Sequence, residues 1–284
     1  VTSTYDYETG ENLSFLITVD PNTKSTDVNP LEKPDFSEFR PEQYVHEEGF
    51  WENTYIGNLA ICDGQIVGTT SYSASFYSDT DYFSLDKYFI SAWTLDGKTK
   101  WRVDISEELK ASYLYLQDLN IIGDKMYSIV SGTFESGKDF RGIISVDGNG
   151  KIGKLIEFSD SLNINSIIPA KDGRVIAVYY DEEYNAKSGY FDINTGEIGE
   201  AVVLPDLFIA NGFSSVKTGF DSDFVFSNSQ GIFKFNIGDT ECTKIMDPIN
   251  SDLNGYNVSK FAFIDKDHFL GCYSNIETYN TDNR

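Results

Sequence analysis

Few residues in this chain could carry out bond-making chemistry. There are two histidines, His46 and His268, far apart and without a second His or Cys at ligand spacing, so a zinc site is not expected. A serine–histidine–acid triad would need one of those two imidazoles, and no Gly-x-Ser-x-Gly elbow is present to carry the nucleophile. No Gly-x-Gly-x-x-Gly or phosphate-loop pattern follows a strand. Asp147-Gly148-Asn149-Gly150-Lys151 begins as a calcium loop would, with oxygen ligands at alternate positions. Lys151 then stands at the fifth position, and Ile152 where a glycine is required. It reads as a hairpin turn, and neither a metal nor a cofactor is expected. Asp79 and Asp81, and Asp181, Glu182 and Glu183, read as solvated loop acids. Aromatic rings are a more informative class. Trp51, Tyr72, Phe76 and Tyr77 cluster in and around a long insertion and could stack on a sugar ring. The competing reading packs these rings between sheets, because large aromatics dominate core burial.

The charge balance narrows the choice of partner. Forty-five acidic residues against 22 basic ones give a net charge of −23. Such a chain repels phosphate backbones, so nucleic acid is not an expected partner. An anionic membrane surface is disfavoured for the same reason. The charge suits solubility outside the cell, with attraction of cationic ligands or calcium as the sharper alternative. Cys62, Cys242 and Cys272 are too few and too scattered for a disulfide framework or a metal cluster. Cys62 and Cys272 lie in apolar runs, where a free thiol packs as a small hydrophobe. A single Cys62–Cys272 bridge stays open. No run approaches the ~18 apolar residues of a membrane span.

The elements that must position these residues are strands. Aromatics make up 15% of the chain, with 18 Tyr and 21 Phe, a bias that fits pleated, half-buried surfaces. Only Ser106–Tyr115 carries a run of good helix formers, enough for one or two turns. Residues 1–41 hold one convincing strand, Asn12–Val19. A stretch with Pro21, Pro30, Pro34 and Pro41 follows and reads as extended connection. Thereafter a two-hairpin unit repeats. Its first-hairpin turns are Asp63-Gly64, Gly123-Asp124, Asp172-Gly173, Asp221-Ser222 and Asp265-Lys266. The second-hairpin turns are Asp96-Gly97, Asp147-Gly148, Asn194-Thr195-Gly196 and Ile237-Gly238. Gly, Asn and Asp suit these places because hairpin turns need positive φ. Four strands every ~40–50 residues is the pattern of propeller blades. A fifth unit lacks its fourth strand, which Asn12–Val19 could supply.

The run YFISAWTLDGKTKWRVDI resembles the repeat of pyrroloquinoline-quinone-type propellers, best from Leu95 to Trp101. KIMDPINSDLNGYNVSKFAFIDKDHFLGCYS, with PEQYVHEEGFWENTYIGNLAICDGQIVG near the start, is similar to the propeller module of some Gram-positive extracellular solute-binding lipoproteins. That resemblance spans roughly residues 41–284, a stretch that itself includes no solute-binding α/β domain. It implies an exported, surface-tethered protein whose only membrane link is an N-terminal lipid anchor removed from this chain.

The expectation is therefore an all-β propeller of about five four-stranded antiparallel blades, with residues 1–41 as strand and connection and 42–284 as propeller. The expected role is extracytoplasmic and non-catalytic, binding a small molecule (sugar or peptide) or another protein through Trp51, Tyr72, Phe76 and Tyr77. A glycan-active enzyme or a structural spacer is the alternative.

Overall fold

The computed structural model describes residues 2–6, 11–20, 22–23, 25–159, 161–209, 215–247, 257–263 and 269–274. The chain divides into two compact units, residues 1–158 and 159–284.

The first unit opens with a three-stranded antiparallel sheet of β1 (Thr2–Asp6), β2 (Glu11–Val19) and β3 (Thr26–Pro30). A four-stranded meander follows: β4 (Trp51–Cys62), β5 (Gln65–Tyr77), β6 (Tyr82–Trp93) and β7 (Thr99–Asp104). After a short helix, α1 (Ile105–Leu109), the chain forms a second meander. Its strands are β8 (Ala111–Ile122), β9 (Lys125–Phe134), β10 (Asp139–Asp147) and β11 (Ile156–Glu157).

In the second unit the third meander runs through β12 (Asn163–Pro169), β13 (Val175–Tyr180), β14 (Ala186–Phe191) and β15 (Ile198–Ala201). A single turn of helix, α2 (Asp206–Ile209), leads to the fourth: β16 (Ser215–Thr218), β17 (Phe224–Asn228), β18 (Gly231–Phe235) and β19 (Thr243–Met246). β20 (Asn257–Phe263) and β21 (Phe269–Ser274) pair as a hairpin. The four meanders are propeller blades, and the fold class is the all-β propeller. No helix among the described residues is long and apolar enough to cross a membrane.

The turn chemistry explains the meanders. Asp63 and Gly64 alone separate β4 from β5, and both have positive φ, 49° and 67°. That is the requirement of a type I′ turn, whose twist matches the flanking strands. Gly123 and Gly173 take positive φ at the equivalent corners, and Gly97 and Gly196 do so at the corners before the last strand of their blades. The Asp265-Lys266 turn and the segment after Ser274 lie outside the described residues, as does His268. Asn12–Val19 falls within β2. Both edges of β2 are occupied, by β1 and β3, so it is the centre of its own sheet and has no edge left to complete a blade.

Two other local expectations shift. The helix at Ser106–Tyr115 stops at Leu109, because Lys110 takes the left-handed conformation (φ 51°). Ala111 onward then pairs with β9. The proline-bearing connection also packs, through Leu31 and Phe36, which are 4% and 6% exposed. It is stapled to the β6–β7 hairpin: the Glu32 N–H donates to the Gly97 carbonyl at 2.9 Å, and the Trp93 indole N–H donates to the Glu32 carbonyl at 2.7 Å. Gly97 has φ +85°, and a Cβ there would meet the Pro30 oxygen at 2.9 Å.

Each unit has its own core. In the first, Val67, Ile90 and Ala92 of one blade meet Leu114, Leu116, Val130 and Ile144 of the next. In the second, Phe208 of α2 packs among Phe224, Phe226 and Phe235. Burial of one such side chain is worth ~1.5–3 kcal/mol. Cys62 is a free, buried thiol whose Sγ lies 3.7 Å from the Asp124 carbonyl oxygen. The Cys272 side chain is outside the described residues.

Candidate functional site

The first blade is built differently from the others. Strands β4, β5 and β6 run for 12 or 13 residues, whereas β7 pairs only with Phe89–Trp93. The sequence insertion is therefore a lengthening of the hairpin, which yields a three-stranded ribbon reaching from Tyr55 and Tyr88 to the turn at 78–81. Alternation along β5, Ser71-Tyr72-Ser73-Ala74-Ser75-Phe76-Tyr77, sends its two sets of side chains to opposite faces.

One face is covered. Residues 36–50 lay Phe36, Phe39, Tyr44 and Phe50 over Tyr72, Ala74, Phe83 and Phe89. Phe36 stacks on Tyr72 with centroids 5.6 Å apart, and Tyr44 lies nearly parallel to Phe76 at 4.6 Å. The Arg102 guanidinium sits over the Phe36 ring at 4.7 Å and pairs with Glu38. Tyr72 and Phe76 are thus buried, 3% and 6% exposed, on the packed side.

At the margin of this face is a cleft of about 240 Å³ lined by Lys33, Asp35, Arg40, Glu52 and Tyr72, among others. The Arg40 Nε donates to Glu52 Oε2 at 3.1 Å, and the Tyr72 hydroxyl donates to the same oxygen at 3.1 Å. Burial, with the Glu52 hydrogen bond and charge behind it, pushes the Tyr72 phenol up to about 12. Arginine, carboxylate and phenol satisfy one another. The cluster therefore holds residues 33–40 on β4.

The other face is open. Register places its residues in rows across the ribbon: Trp51, Ser75 and Ser84; Asn53, Ser73 and Asp86; Tyr55, Ser71 and Tyr88. Tyr77 and Tyr82 pair at the tip. Trp51, Tyr55, Tyr77 and Tyr82 are 52%, 56%, 71% and 68% exposed. Burial raises the Tyr88 phenol, and the nearby Asp86, Tyr113 and Tyr115 raise it further. With rows two residues apart, the face spans ~20 Å by ~10 Å. It is an array of rings and hydroxyls, bounded at one end by Tyr88, which packs against the core shared with the second blade.

The four aromatics singled out in the sequence are thus split by the pleat. Trp51 and Tyr77 belong to the open face, Tyr72 and Phe76 to the covered one. Tyr55, Tyr82, Tyr88 and the serines were not singled out, although the strict alternation of Ser71 to Tyr77 carries the signal.

The loop acids are occupied locally. Asp147 Oδ1 accepts the backbone N–H of Asn149 at 2.9 Å and of Lys151 at 3.0 Å, and these bonds hold its carboxyl below the usual range. Asp181 does the same for Glu183 and Asn185. Asp81 Oδ2 accepts from the Tyr44 hydroxyl at 2.8 Å. Among the described residues no group of three His, Cys, Asp or Glu side chains stands together as a metal site would require. No family model matches the chain, and no curated protein matches it.

Proposed function

We propose that this propeller is a non-catalytic binding module working outside the cytoplasm, and that its open ribbon face receives the ligand, a small molecule (sugar or peptide) or another protein. One observation carries the reading. Four large aromatics are left more than half exposed on a sheet face whose other side packs under residues 36–50. Exposed apolar patches of a few hundred Å² on soluble proteins commonly mark interaction sites. Tyr and Trp give rigid contact area at low entropic cost, and Ser and Asn give adaptable hydrogen bonds. The acidic balance and the similarity to lipoprotein propellers support a tethered, extracytoplasmic setting.

The test is paired substitution of Trp51→Ser and Tyr82→Ser, followed by binding assays against panels of oligosaccharides, peptides and cell-surface proteins. Both sites are exposed, so the melting temperature should hold while binding is lost. A ligand that binds the double variant as well as the parent would overturn the proposal.

A further inference from the structure

We infer that the ligand of this face is an extended, Arg- or Lys-bearing segment of a partner protein that adds as a strand to the outer edge of β6; this rests on the ribbon being the binding site. The edge is available. β7 stops opposite Phe89, so among the described residues no strand is paired to β6 on that side from Tyr82 to Tyr88. The Tyr88 N–H donates off that edge to Ser106 Oγ at 3.3 Å. Ser84 and Asp86 share its parity, so their N–H and C=O groups point the same way. The Tyr82 N–H at the other end is held by Asp81 Oδ1 at 2.9 Å, so the open stretch centres on Ser84 and Asp86, and such an unpaired edge is a template for an incoming strand.

Charge selects the strand. Asp86 is the one acidic or basic side chain in the rows of the open face. Asp79 and Asp81 flank the edge at one end, Glu107 and Glu108 at the other. Lys87, the nearest base on β6, projects to the covered face and is engaged by Asp104 at 3.5 Å. An added strand puts alternate side chains beside Tyr82, Ser84, Asp86 and Tyr88. A guanidinium or ammonium opposite Asp86 gains the carboxylate directly, and the Tyr88 ring two positions away offers its π face. A second copy of this chain is disfavoured, because self-pairing sets acid against acid in molecules of charge −23. A face ~20 Å long accommodates about six extended residues, which fits a segment and falls short of a globular interface.

The experiment uses acetylated decapeptides alternating Thr with Arg, Thr with Glu and Thr with Ser, together with a neutral hexasaccharide. Affinity is read by calorimetry and amide protection by hydrogen exchange. The Thr–Arg peptide should bind, weaken with added salt, and protect the Ser84 and Asp86 amides. Asp86→Arg should cost at least tenfold for that peptide and shift preference to Thr–Glu. Ser84→Pro, which removes an outward N–H, should abolish both binding and protection. Equal Thr–Arg affinity in both variants would refute the inference, by revealing charge attraction spread over the whole surface. Hexasaccharide binding that is lost in the Trp51→Ser, Tyr82→Ser variant, with no peptide binding, would retain the binding face and discard the strand. No binding by any probe would remove both.

Discussion

Replacing Phe36 by Ala tests whether the proline-bearing segment belongs to the core of the first unit. The ring is 6% exposed, stacks on Tyr72, packs against Phe89 at 4.8 Å and lies under the Arg102 guanidinium. Truncation of a buried Phe costs ~3–5 kcal/mol once the residual cavity is included. That figure includes loss of the cation–π contact, at ~0.5–1 kcal/mol. All three tryptophans, Trp51, Trp93 and Trp101, are in the first unit, so indole fluorescence follows that unit alone. With a urea slope of ~2 kcal/mol/M, the midpoint should fall by ~1.5–2.5 M. Val28→Ala, at a site 58% exposed, should move it by no more than ~0.3 M, as surface changes do. A Phe36→Ala shift as small as that of Val28→Ala would mean that residues 31–40 do not share the unit's core.

Three further outcomes follow from particular contacts. Because Tyr72 is raised to about 12, the folded unit binds its phenolic proton more tightly than the unfolded chain. That stabilisation is complete below the ordinary tyrosine pKa of ~10 and is lost as pH rises toward 12. Glu52→Gln should bring Tyr72 part of the way down, as read by phenolate absorbance, and narrow that window while burial keeps the rest; an unchanged titration would refute the share assigned to Glu52. Gly150→Ala should destabilise by ~1–2 kcal/mol, since φ is +83° and the new Cβ would sit 3.0 Å from the Trp101 ring; a neutral urea midpoint would contradict that geometry. Cys62 should label with a small maleimide only after unfolding, because it is 3% exposed and burial raises its thiol pKa; fast labelling of the native protein would show the blade to be open there.

Blade boundaries were legible wherever a tight turn imposes positive φ, as at Asp63-Gly64 and Asp172-Gly173, because few residue types tolerate that backbone. The packing of Leu31 and Phe36 was not. Four prolines in the surrounding stretch declare an irregular backbone, and apolar residues without a period give no face to assign. The Ser106–Tyr115 helix was half legible. Asp104 caps its start by accepting the Glu107 N–H at 2.9 Å, but pairing with β9 outweighs propensity from Ala111. At the ribbon, composition pointed to Trp51, Tyr72, Phe76 and Tyr77 without distinguishing two faces. Which serines and tyrosines share a row depends on register, and register is fixed by the turn at 78–81 together with the rings that cover Tyr72.

The carbonyl of Gly148, in the second blade's hairpin, accepts two donors from the first: Gln65 Nε2 at 2.7 Å and the Trp101 indole N–H at 3.2 Å. In a chain delivered N-terminus first this makes the earlier blade wait for the later one. Its four strands are complete at Asp104, yet the Gln65 amide and the Trp101 indole find their acceptor only once residue 148 has followed them. Until then the first blade exposes the apolar flank that receives Leu114, Leu116, Val130 and Ile144.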